Sequence, residues 1–253
     1  MKRWIVLLMT AMFTFPLAAC SGGETQETSE QDPADSEQVS EEEVLSETDE
    51  EVSMEEETGA EGTAEETADT NMLVAYFSYV ENADLPDGVD ASSTASIQVW
   101  NDEITGNTGV VAAMIADAAG ADMFSIETVE KYPDTYDATI DQGQEERNAD
   151  ARPELATHVE NLDDYDVIFL GFPNWWGDMP MIIYTFLDEY DLSGKTVAPF
   201  NTSGGSGFSN SLETIAEMEP DAQITEGLSL GSSEAGDCAD TVSTWLDSIG
   251  LAE

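Results

Sequence analysis

The sequence predicts an α/β fold: a doubly wound, five-stranded parallel sheet with helices on both faces, confined to residues 71–253. Three observations carry this. Short, continuous apolar runs recur along that segment, and strands buried on both faces read this way. Stretches with apolar residues at helical spacing lie between them. The charge then divides the chain: 55 Asp and Glu stand against 6 Lys and Arg, a formal net charge of −49. Of these acids, 20 lie in residues 21–70 without one base, and the other 35 share residues 71–253 with Lys131, Arg147, Arg152 and Lys195. All but three of the aromatic side chains also lie in the last segment, so it alone has the material for a core.

In chain order, residues 72–77 (M-L-V-A-Y-F) form the first predicted strand, and residues 109–119 a helix with Val110, Val111, Met114, Ile115 and Ala118 on one side. Residues 123–126 are the second strand and 167–170 (V-I-F-L) the third. A helix over 181–190 leads to a fourth strand over 196–200, closed off by Ser203, Gly204 and Gly205. Residues 212–218 have helical period, 224–230 form a weak last strand, and 238–249 a helix presenting Val242, Trp245, Leu246 and Ile249. Alternation of this kind gives a parallel sheet with both faces covered.

The two preceding segments read differently. Lys2 and Arg3 precede a 16-residue uncharged run over 4–19, short for a membrane span and typical of an export signal. It stops at Leu17-Ala18-Ala19-Cys20, which resembles the lipobox of bacterial lipoproteins; an ordinary cleaved signal or a plain membrane anchor is the alternative. On the lipobox reading, residues 1–20 are a lipoprotein signal and acyl chains on Cys20 anchor the protein to the outer face of the bacterial cell membrane. Residues 21–70 hold almost nothing to bury, which predicts a disordered acidic spacer. With Cys20 lipidated, Cys238 has no intrachain partner.

In a doubly wound sheet, ligands sit beyond the carboxyl ends of the strands, near the point where strand order reverses. The loops after strands one, three and four should therefore line one crevice. After strand three comes G-F-P-N-W-W-G-D-M-P, residues 171–180. Adjacent tryptophans in extended chain point opposite ways, so at least one should face the crevice as a stacking platform, unless both only cover loop and helix. After strand four comes N-T-S-G-G-S-G-F, residues 201–208, where Gly204 and Gly205 would let backbone N–H groups approach a ligand, or serve as a simple connector. After strand one comes Ser78, then a long polar stretch, then Thr105-Gly106-Asn107-Thr108 leading into the first helix. Hydroxyls and amides at a helix start can hold a phosphate without any cation, although T-G-N-T alone would also suit an ordinary cap.

Taken together these loops resemble the flavodoxin family, specifically the flavodoxin-like group of bacterial exported proteins. The resemblance rests on A-Y-F-S (75–78), T-G-N-T (105–108), E-K-Y-P (130–133), Y-D-V-I-F-L-G-F-P-N-W-W-G-D-M-P (165–180) and G-K-T-V-A-P-F-N-T-S-G-G-S-G (194–207), and it covers nearly all of residues 71–253. It implies a three-layer α/β/α fold with strand order 2-1-3-4-5, and FMN as cofactor. Ser78, Thr105, Gly106, Asn107 and Thr108 match the family's phosphate loop. Pro173, Asn174, Trp175, Trp176 and Gly177 match the first isoalloxazine loop, and Thr202, Ser203, Gly204 and Gly205 the second. The sequence departs from the family in one place: 26 residues, 79–104, stand where the family motif usually has one. This 25-residue excess predicts a flap containing Trp100.

Other residues carry less. His158, the only histidine, lies in T-H-V, which reads as the outside of a helix and receives no role as metal ligand or base. Arg147 and Arg152 are expected to pair with nearby carboxylates such as Glu145, Glu146 and Glu154, the alternative being that they orient a substrate or partner, and Glu127, Lys131 and Tyr132 to stand near the crevice rim. Cys238, between Asp237 and Asp240, should have a raised thiol pKa. The charge excludes nucleic acid as a partner, since phosphate backbones are held by clusters of Lys and Arg. The leading expectation is an FMN-binding lipoprotein that transfers electrons outside the cytoplasm, to a redox partner protein or a quinone. No residue is assigned a catalytic role, because the flavin does the chemistry. The domain's own charge sum of 4 − 35 = −31 should lower the flavin potential and favour basic partners. An NAD(P)H- or quinone-linked FMN oxidoreductase, or a binding lipoprotein with an unused flavin site, are the alternatives.

Overall fold

The computed structural model describes residues 70–86 and 96–252; the predicted export signal with Cys20, the predicted acidic spacer up to residue 69, residues 87–95 of the insertion and Glu253 lie outside the described residues. The elements in order are β1 (Met72–Tyr76), β2 (Ile97–Trp100), β3 (Glu103–Gly106), α1 (Asn107–Ala119), β4 (Asp122–Ser125), α2 (Tyr136–Ala149), β5 (Val167–Pro173), α3 (Met181–Glu189), β6 (Thr196–Ser203), α4 (Ser211–Met218), β7 (Gln223–Ile224), β8 (Leu228–Gly231) and α5 (Ala239–Ile249).

The main sheet is parallel throughout and runs β4-β1-β5-β6, with β7 and β8 pairing successive parts of the outer side of β6. Counting β7 and β8 as one interrupted strand, this is the expected 2-1-3-4-5 order. Strand order reverses beside β1, so the crevice between the carboxyl ends of β1 and β5 is where such a sheet takes a ligand. Alternate residues of each strand feed opposite faces. Leu73, Ala75, Ile168, Leu170 and Phe172 pack with Ile182, Ile183 and Phe186 of α3 and Ile215 of α4. Val74, Phe169, Ala198 and Phe200 pack with Val111, Ala112 and Ile115 of α1 and Val242, Trp245 and Leu246 of α5. Each fully buried Leu, Ile or Phe contributes about 1.5–3 kcal/mol of transfer free energy, which is why β5 has no polar position at all.

Several elements differ from the sequence reading. β5 and β6 run on to Pro173 and Ser203, because Phe172 pairs with Asn201 and Pro173 with Thr202, so both candidate loops begin as ladder. α1 starts at Asn107 rather than 109. The weak last strand is two short ladders, separated at Gly227, where an added Cβ would lie 2.7 Å from the Phe208 ring. The end of the insertion is a hairpin, β2 against β3, turned by Asn101 and Asp102 with φ of 52° and 65°, the left-handed pair that a two-residue hairpin turn requires. The His158 segment is not helical. Thr157 Oγ1 donates to Ser125 O and accepts from the Glu127 amide, and the Val159 amide donates to the Tyr190 hydroxyl, so its polar groups are engaged elsewhere.

Glu219 follows α4 with its side chain buried, and its Oε2 accepts the Leu192 amide at 3.2 Å. Burial pushes its pKa above the ordinary value of 4.5. The folded state then holds this proton to higher pH than the unfolded chain does, so stability is lost as pH rises through the folded pKa. Glu219→Gln is therefore expected to leave the melting temperature near that of the parent below pH 4.5 and to raise it at pH 7. Melts at both pH values check this; a variant-to-parent difference that does not change with pH would contradict it.

Candidate functional site at the β1, β5 and β6 ends

The loop after β5 is a tight turn. The Trp175 amide donates to Asp178 O at 2.8 Å and the Asp178 amide to Trp175 O at 3.1 Å, with Trp176 and Gly177 between them at φ of 58° and 75°. Glycine takes this conformation freely, but a bulky indole does not, so Trp176 is held there by its surroundings. Asn174 supplies much of that hold. Its Oδ1 accepts the Gly177 amide at 3.0 Å, and its Nδ2 donates to Gly207 O at 2.7 Å and Ser209 Oγ at 3.1 Å, tying this loop to the one after β6.

The turn sends the two indoles apart. Trp175 points inward, edge-on to Phe77 at 5.4 Å and Tyr132 at 5.1 Å between ring centroids. Its other side lies against α2, where a Cβ added at Gly143 would come within 3.2 Å of the indole. Trp176 is 45% exposed and its Nε1–H donates to Ile140 O of α2 at 3.1 Å. Both rings line a cavity of about 340 Å³ at the carboxyl ends of the strands.

In the loop after β6, Ser203 Oγ accepts the amides of Gly205 at 3.2 Å and Gly207 at 3.0 Å. The Gly205 amide, which the sequence reading offers to a ligand, is thus committed to Ser203. Ser203 O in turn accepts the amide and hydroxyl of Ser232.

At the start of α1 no side chain caps the helix. The Asn107 amide donates to Ser96 O at 3.1 Å, and Asn107 Oδ1 accepts from Gln98 Nε2 at 2.8 Å, so the hairpin closes over this end. Ser78 is buried, its Oγ has no hydrogen-bond partner, and a Cβ added at Gly106 would lie 1.8 Å from it. Only glycine fits there. Thr108 is also buried, with its Oγ1 2.9 Å from Thr202 Oγ1, and this bond ties α1 to β6. Thr105 is partly buried in β3.

Of the predicted residues, Asn107, Pro173, Asn174, Trp175 and Trp176 line the cavity, as do Thr202, Ser203 and Gly204. Ser78, Thr105, Gly106, Thr108, Gly177 and Gly205 are not among its lining residues. The sequence reading misses the wall made by α2, which presents Tyr136, Thr139, Ile140 and Gly143, and also the contributions of Tyr79, Ser96 and Ser232. An isolated glycine inside a helix often marks close packing, and Gly143 is the one signal that would have found this wall.

Charged residues nearby do not all pair as expected. Arg147 meets Asp178 at 3.5 Å, bracing α2 against the tryptophan turn, and Arg152 meets Asp150 and Asp188; neither pairs with Glu145, Glu146 or Glu154. Lys131 pairs with Glu127 at 2.8 Å. Tyr132 is buried behind Trp175 rather than at a rim, and donates to Glu146 Oε2 at 2.9 Å. Burial and then the Glu146 charge push its phenol far above the ordinary range. The Cys238 thiol is pushed up too, first by burial and then by Asp237 and Glu234; Asp240 takes no part.

A family profile described as Flavodoxin matches residues 97–249. A candidate flavoprotein from Bacteroides eggerthii is 30% identical, with a TM-score of 0.56, and the match covers 72% of this chain and 98% of that one. A candidate flavoprotein from Bacteroides uniformis is 28% identical, with a TM-score of 0.54 and coverage of 70% and 98%. No curated protein matches the chain.

Proposed function

The chain belongs to the flavodoxin family, and from that premise we propose that it binds FMN and carries electrons at the outer face of the bacterial cell membrane, anchored through lipid on Cys20. The observation that carries the FMN reading is the buried, unpartnered Ser78 Oγ held against Gly106 at an uncapped helix start, beside a cavity lined by both tryptophans. A buried hydroxyl with no partner is costly, and an anion's oxygen relieves it. The residues present therefore fit the group. Ser78, Thr105 and the amides at the start of α1 beyond that of Asn107, which donates to Ser96 O, would hold the phosphate without a cation, with Gly106 allowing close approach. The backbone of Thr202, Ser203 and Gly204 would meet the polar edge of the ring, and Trp176, with its exposed face, would cover it. FMN, when bound, supplies one- and two-electron transfer. The protein's part is to bind it, shield it from water and set its potential through the surrounding acids.

Support for export and anchoring comes from Lys2, Arg3, the apolar run and Cys20 in the sequence. Among the described residues no helix is long and apolar enough to cross a membrane. A redox partner protein of basic surface, or a quinone, would take or supply the electrons. The quinone reading draws on Tyr136 and Trp176, two exposed aromatic side chains that both line the cavity.

The purified protein is expected to be yellow, or to take up FMN when it is added, and to release a phosphorylated flavin on denaturation. A colourless protein that takes up none would sink the proposal. Trp176→Ala is expected to weaken FMN binding by about 1 kcal/mol with little change in melting temperature. Flavin fluorescence titration checks this, and unchanged affinity would remove Trp176 as the stacking residue.

A further inference from the structure

The inference drawn here rests on the FMN reading and concerns the same anion site. The insertion between Ser78 and Thr105 begins with a short 3-10 turn, Val80–Asn82, and this turn delivers the Glu81 carboxylate to the first turn of α1. A Cβ added at Gly109 would lie 3.1 Å from Glu81 Oε1 and 3.3 Å from Thr105 Oγ1. The carboxylate and one expected phosphate ligand thus flank the same point of the helix start. Glu81 Oε2 is buried and makes no hydrogen bond. The neighbouring cation, Lys131, directs its Nζ to the Glu81 backbone oxygen at 2.5 Å and to the carboxylate of Glu127 at 2.8 Å. The ammonium is thus taken up by the Glu127 carboxylate and the Glu81 backbone, not by the Glu81 carboxylate. The Tyr76 ring, 3.5 Å from the same added Cβ, feels both acids: its phenol is pushed up to about 12, by burial first and then by Glu81 and Glu127.

A helix start favours negative charge, but a second anion brought into poorly hydrated space beside a fixed one is repelled by it. The unpartnered Ser78 hydroxyl still calls for an acceptor at this end of α1. We infer that Glu81 is a specificity-determining residue of the flavin site: it opposes the phosphate, and so narrows the preference for FMN over the same ring system without phosphate, riboflavin. The insertion then does more than cover the site, because it grades how strongly the phosphorylated form is kept.

The test compares FMN and riboflavin by fluorescence titration of the full-length chain. Glu81→Gln is expected to tighten FMN about tenfold and to leave riboflavin unchanged. Because repulsion is screened by salt, the FMN-to-riboflavin affinity ratio of the unaltered chain should rise with ionic strength, and the rise should shrink in the variant. Glu213→Gln, an exposed carboxylate on α4, serves as the control for general charge and should not alter the ratio. Equal changes for both flavins, or an unmoved ratio, would overturn the role of Glu81 and leave the FMN reading standing. If the unaltered chain binds neither flavin, the reading and this inference fall together.

Discussion

Gly171→Ala is expected to lower the stability of the folded domain by about 3 kcal/mol, toward the upper end of what overpacking a core costs. Gly171 sits inside β5 directly opposite Phe200 of β6. A methyl group there would lie 2.0, 2.5 and 2.6 Å from three carbons of the Phe200 ring. That ring is fully buried among residues of α1, α5 and the neighbouring strands, so it has nowhere to turn. The strand would have to move instead. Gly171 O accepts the Phe77 amide at 2.9 Å, and Phe77 meets the edge of Trp175, so a displaced β5 also disturbs the crevice. Urea unfolding measures the loss, and adding Phe200→Leu should restore part of it. A single variant that unfolds at the parental midpoint would show that the ring relaxes freely.

Asn82→Ala should cost about as much, on the order of 3 kcal/mol, by a different route. The Asn82 side chain is fully buried and fully used. Its Nδ2 donates to Ser78 O at 2.9 Å and Ile126 O at 3.1 Å, while its Oδ1 accepts the Thr128 amide at 2.8 Å and the Thr128 hydroxyl at 3.2 Å. Its backbone oxygen takes the Tyr132 amide at 2.7 Å. Alanine would leave an amide and two carbonyls without these partners and away from water, each at about 1–3 kcal/mol before relaxation. This knot joins the start of the insertion to the segment after β4 and holds Glu81 beside α1. Chemical denaturation with an unchanged slope and a lower midpoint is the expected result; a loss below about 1 kcal/mol would mean that water replaces the side chain.

The sheet was legible because β1, β5 and the 197–200 part of β6 are buried on both faces, and physics leaves them little but apolar residues. The candidate site was legible through its punctuation: glycines, hydroxyls and paired tryptophans at the strand ends. α2 was not legible, since its buried positions are Thr139 and Gly143 and no apolar stripe exists to be read. Its inner face is built to admit an indole, so smallness takes the place of hydrophobicity. The pairing of Arg147 with Asp178 was hidden for a related reason: charge partners are chosen by folding across the chain, whereas sequence suggests only near neighbours. Asn82 carried no sequence signal, because a satisfied buried amide looks like any polar loop residue until its partners are in place.

The interrupted last strand bears on how copies of this protein tolerate one another. A long free rim on a sheet is a template onto which a second chain can add, rung by rung, and crowding would favour that. Here β4 closes one side with four residues, and the other side is broken into β7, with two, and β8, with four. Among the described residues of this sheet no edge strand runs beyond four residues, too short to nucleate such growth, and Asp122 at the head of β4 adds a charge to the rim. The same break at Gly227 that blurs the strand in the sequence therefore helps to keep neighbouring molecules apart.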